Sequence, residues 1–108
     1  MGRVLVCFAF LSAASAVSVA AQDAAQGAKV YAAQKCSACH SIAGKGNAKG
    51  PLDAVASKIS TAEIREWIVD AKGMTAKTKA PRKPLMRAYM LPKEDVDALV
   101  AYLSTLKG

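Results

Sequence analysis

The residues most able to do chemistry in this chain stand together. Cys36, Ser37, Ala38, Cys39 and His40 set two thiols one helical turn apart with an imidazole beside the second. Cys-x-x-Cys-His is the attachment pattern of c-type haem, in which the thiols add across the two vinyl groups and the histidine reaches the iron from one face. The rival chemistries of paired thiols lack their other parts. A thioredoxin-like site needs a βαβ pattern, which is absent, and a four-cysteine zinc site needs more than Cys7, Cys36 and Cys39. His40 is the single histidine, which excludes bis-histidine haem and other sites built on two imidazoles. The sixth position of an iron held by His40 is therefore open to Met, Lys, water or nothing. Besides Met1, the methionines are Met74, Met86 and Met90. A thioether favours ferrous iron and raises its potential, as an electron carrier needs, although the plainer role of a methionine is to fill gaps in a core.

The elements that must position these groups read as helices. Asp23 to Lys35 is Ala-rich with an acid at its start, and predicts a short helix with Gly27, Val30 and Tyr31 on one side. Ser41 to Pro51 holds Gly44, Gly46, Asn47 and Gly50 and reads as a loop. Ser60 and Glu63 form a capping box that opens a helix to about Lys72, with Ile64, Trp67, Ile68 and Ala71 at helical spacing and Gly73 as its stop. Met74 to Leu91 contains Pro81 and Pro84 and no sustained period, so it is expected to be an extended or irregular loop. Pro92, followed by Glu94, Asp95 and Asp97, opens a last helix to about Leu106, whose stripe is Val96, Leu99, Val100, Leu103 and Leu106. No strand alternation appears, and the expected class is all-α.

The chain has 108 residues, of which 53% are hydrophobic, and that excess is uneven. Met1 to Ala21 has one early cation at Arg3, an apolar stretch from Val4 to Leu11, and an Ala/Ser half ending in small-x-small triplets. It reads as a secretory signal peptide cleaved after Ala20 or Ala21; the alternative is a retained membrane anchor. Cys7 leaves with it. Residues 22–108 are then a single domain of 87 residues, and loss of Arg3 takes the formal charge from +7 to +6. A chain of that size buries little core by itself, and an embedded cofactor would complete it.

The run from Gly27 to Leu106 resembles the small class I bacterial cytochromes c. The resemblance is carried by Gly27 and Tyr31, the CSACH motif, Gly50-Pro51-Leu52, a middle helix with Trp67, a Met-bearing loop, and a closing helix with Leu99 and Tyr102. It implies the cytochrome c fold, with three main helices wrapped around one covalently bound haem c. It also selects Met86 as the second axial ligand, because Met86 to Asp95 matches the family's ligand loop without a gap, with Arg87 in place of the usual Pro and Pro92 where a Ser or Thr cap is common; Met90 is the alternative. The Pro51 carbonyl is implied as acceptor of the His40 Nδ1–H, against a plain turn proline. Trp67 is implied as indole donor to a haem propionate, against a simple core side chain. Gly27 and Tyr31 are implied to cross Leu99 and Tyr102.

Between Lys72 and Lys93 lie seven cations, namely Lys72, Lys77, Lys79, Arg82, Lys83, Arg87 and Lys93, and no acid. Around an exposed haem edge such charge steers the protein toward an acidic docking face on an oxidase, reductase or dehydrogenase, unless it merely solvates the surface. Nucleic-acid binding is not expected, since no aromatics interleave the basic run. The leading expectation is thus a non-enzymatic, monomeric periplasmic electron carrier, free of the membrane once its leader is cleaved. The alternatives are a haem enzyme or gas-binding cytochrome with an open sixth position, and an electron-transfer subunit of a larger oxidoreductase complex. A non-haem dithiol protein is a further contrast, separable by colour.

Overall fold

The computed structural model describes residues 19–108, together with Gly2, Cys7, Ala9, Ser12 and Ala13. Most of the expected leader lies outside the described residues. Among the described residues five helices follow in order: α1 (Val19–Ala33), α2 (Val55–Lys58), α3 (Thr61–Val69), α4 (Ala71–Thr78) and α5 (Lys93–Leu103). A 3-10 turn at Cys36–Ala38 follows α1. The architecture is all-α. Among the described residues, no helix is long and apolar enough to cross a membrane.

The frame is the crossing of α1 and α5. A Cβ built on Gly27 would fall on the Ala98 carbonyl and against Tyr102, so only glycine lets the two backbones approach this closely. One helical turn on, Tyr31 meets Tyr102 edge-to-face with ring centroids 5.8 Å apart and an interplanar angle of 71°. Val30 joins Ile64, Ile68, Val96, Leu99, Val100 and Leu103 in one buried cluster, which draws on α1, α3 and α5.

The middle of the chain departs from its sequence reading. The capping box forms as expected, with Ser60 Oγ accepting the Glu63 N–H at 3.1 Å. The helix ends at Val69 rather than near Lys72, and Gly73 does not stop it. Asp70 instead caps a new helix, its carboxylate accepting the Gly73 N–H at 3.2 Å. A Cβ at Gly73 would fall on that carboxylate. The expected loop from Met74 is therefore α4 as far as Thr78, and the irregular segment begins at Lys79. Two further differences are small. The first helix begins at Val19 and ends at Ala33. The Gly-rich loop folds back as an antiparallel pair of two-residue strands, β1 (Ser41–Ile42) and β2 (Lys45–Gly46). Gly44 takes φ +77° in the turn between them, and Gly46 takes φ +107°.

Candidate haem site

Between the helices lies a largely apolar cleft of about 640 Å³. Cys36, Cys39 and His40 line it from the segment after α1, Trp67 from α3, and Met86 from the irregular segment before α5. The 3-10 turn is what gathers the first three. Its backbone bonds, Cys39 N–H to Cys36 carbonyl at 3.1 Å and His40 N–H to the same carbonyl at 2.9 Å, hold both thiols and the imidazole within one turn. Lys35 enters that turn in the left-handed region at φ 56°.

The imidazole is oriented by a backbone carbonyl, but not the expected one. His40 Nδ1 lies 3.0 Å from the carbonyl oxygen of Gly50, one residue before Pro51. A carbonyl only accepts, so Nδ1 carries the proton and Nε2 keeps its lone pair for a metal. The reason is the bridge between the two arms of the loop. The Ser41 N–H donates to Gly50 at 3.0 Å and the Leu52 N–H donates to Ser41 at 2.8 Å, with Pro51 between them paired to Ser41. Successive carbonyls of extended backbone face opposite ways, so with Gly50 aimed at Ser41 and His40 the Pro51 carbonyl is turned aside. Burial is the main influence on His40 and pushes its pKa down; the Gly50 bond opposes this and Arg82 adds to it. The neutral ring is the form a metal needs. Burial likewise pushes the Cys36 thiol up.

The three methionines separate clearly. Met86 is half-buried in the cleft wall. Met74 is 3% exposed within α4 and does not line the cleft, while Met90 is fully exposed and does not line it either. The segment bearing Met86 is held to α3 by the Tyr89 N–H, which donates to the Ile68 carbonyl at 2.9 Å. That acceptor is free because the break at Asp70 ends α3 before Lys72 can take it.

The cationic segment is less uniform than its sequence suggests. Lys93 Nζ lies 2.6 Å from Asp97, which also pairs with Arg65 at 2.7 Å, and Lys77 lies 3.9 Å from Glu66. Arg87 is exposed, with its guanidinium 5.0 Å from the centre of the Tyr89 ring.

The donor set and the cleft fit a haem. Two thiols, one imidazole nitrogen with a free lone pair and one thioether line a single apolar space, whose volume falls within the roughly 300–1,000 Å³ usual for cofactor sites.

Comparison with known proteins agrees. The cytochrome c family model matches residues 24–107, and the chain belongs to the cytochrome c family. Membership of that family implies haem binding. It is also similar to cytochrome c oxidase subunit 2 of Alkalihalophilus pseudofirmus, at 30% identity over 91 residues. That match takes in 76% of this chain and only 25% of the longer relative. No solved structure matches the chain.

Proposed function

We propose that this protein is a monohaem c-type electron carrier exported to the periplasm, with Met1 to Ala21 removed as a signal peptide. Cys36 and Cys39 would hold the haem through thioether bonds, and His40 and Met86 would supply the nitrogen and sulfur ligands of its iron. The observation that carries the reading is that all four residues line one apolar cleft, while Met74 and Met90 do not.

Bound there, haem c supplies one-electron cycling between ferrous and ferric iron. The chain's own work is to hold it. Gly50 fixes the His40 ring and its tautomer. Leu52, Ile64, Ile68, Leu99 and Leu103 keep water from the cleft. Arg87, with the other cations of the segment, gives the neighbouring surface a positive charge suited to an acidic docking face on a redox partner. No substrate chemistry takes place at the iron.

The test is a visible spectrum of the purified protein, oxidised and reduced, with a pyridine haemochrome assay and carbon monoxide. One covalent haem per chain and no carbon monoxide adduct are expected; ready carbon monoxide binding would replace this reading with an open-site enzyme or sensor.

The similarity to an oxidase subunit supports a second reading, an electron-transfer subunit of a larger oxidoreductase complex. Native size separates the two, since a carrier extracted without detergent migrates at its own mass and a subunit at that of its complex.

A further inference from the structure

The cleft wall carries three cations, Lys35, Arg82 and Arg87, and among the described residues that line it there is no carboxylate. Lys35 and Arg87 are exposed, whereas Arg82 is half-buried. Arg82 leaves the irregular segment four residues before Met86 and reaches across to the loop that orients His40. A Cβ built on Gly50 would fall on Arg82 Nη1, and the Cys39 carbonyl and His40 Nδ1 stand at the same spot. No carboxylate among the described residues answers it. The ion pairs there are Arg65 with Asp97, Lys93 with Asp97 and Lys77 with Glu66.

A guanidinium held partly out of water without a counter-charge is costly, and its planar fork matches a carboxylate with two parallel hydrogen bonds. Haem brings two carboxylates of its own, the propionates. We infer that Arg82 is a propionate-binding residue: its guanidinium pairs with a haem propionate and ties the Met86 segment to the His40–Gly50 loop through the cofactor. This rests on the haem reading above. It assigns Arg82 a role that the cations on the exposed surface do not share, because charge steering requires exposure and Arg82 has given part of it up. It also explains a glycine at position 50, since any side chain there would push the guanidinium off its seat.

The experiment uses the holoprotein and its Arg82→Gln variant, compared by resonance Raman spectroscopy and by midpoint potential. With the fork gone, the propionate bending mode is expected to move to lower frequency, and the potential to fall because one positive charge near the iron is lost. A bending mode at the parent's frequency overturns the inference, whatever happens to stability. Should the variant fail to accumulate with haem, the ferrous parent decides by NMR. Contacts between the Arg82 side-chain protons and the propionate methylene protons support the pairing, and their absence overturns it. A parent that lacks covalent haem in the haemochrome assay sinks the haem reading itself, which is a different failure.

Discussion

The Asp70 carboxylate accepts the backbone N–H of Gly73 at 3.2 Å, and through this one bond the chain divides what would be a single helix into α3 and α4. The division leaves the Ile68 carbonyl without an intrahelical partner, and the Tyr89 N–H takes it at 2.9 Å. A surface cap thereby anchors the segment that bears Met86. Asp70→Ala is expected to destabilise the holoprotein by about 1 kcal/mol, the usual worth of such a cap. Because the segment is also loosened, the sulfur-to-iron band should be lost at lower urea than global unfolding requires. Coincident transitions in variant and parent would disprove the link.

At the crossing of α1 and α5, Gly27→Leu has no space to enter, since even a Cβ falls on the Ala98 carbonyl. Backbone cannot swing aside as a side-chain tip can, so the cost should exceed the usual overpacking range of about 1–3 kcal/mol. Thermal unfolding of the holoprotein measures it, and an unchanged midpoint refutes the crossing.

Met86→Ala and Met90→Ala should part company. Met86 lines the cleft and Met90 is fully exposed, so the first variant is expected to lose the near-infrared sulfur-to-iron band and gain carbon monoxide binding, and the second to do neither. A band that survives Met86→Ala removes Met86 from the iron.

Among the described residues the buried Tyr31 hydroxyl has no hydrogen-bond partner, and burial is the main reason its pKa is pushed up from 10.0 to about 12. Below pH 10 it is protonated in both folded and unfolded chains and contributes no pH dependence. Between about pH 10 and 12 the unfolded chain gives up the proton while the folded chain keeps it, so stability falls as pH rises through that window. Tyr31→Phe should flatten this decline and cost little at pH 7, since the hydroxyl has no bond to lose. Urea midpoints across that range test it, and a decline that persists in the variant would place its cause elsewhere.

The cations should differ in their effect on partner association. Lys93 already has Asp97 at 2.6 Å, whereas Arg87 is exposed and faces an aromatic ring. Arg87→Gln is expected to slow electron transfer at low salt and to flatten its dependence on ionic strength, and Lys93→Gln to do so less. A transfer rate indifferent to salt in the parent would remove steering altogether.

What could be read from the residues was whatever short-range chemistry encodes. Ser60 with Glu63 and the acids after Pro92 mark their helix starts because the groups that satisfy the free N–H donors lie within one turn. Asp70 followed three residues later by Gly73 carries the same kind of signal, and it was masked by the habit of glycine to end helices. The two-residue strands around Gly44 are too short to alternate. The choice of Gly50 over Pro51 as partner for His40 turns on which carbonyl an inter-arm bridge leaves facing the ring, and no local pattern encodes that. Arg82 reads in sequence as one cation among seven; its reach to Gly50 exists only in three dimensions.

The anchoring of the Met86 segment also bears on speed. A carrier is fast when its iron keeps nearly the same ligand distances in both oxidation states, because every displacement adds to the reorganisation energy of the transfer. Only the stretch from Arg82 to Tyr89 lies between the contact at Gly50 and the bond to Ile68. With Met86 as the proposed iron ligand, so short a span, closed at both ends, would leave its thioether little room to follow a change of charge on the metal.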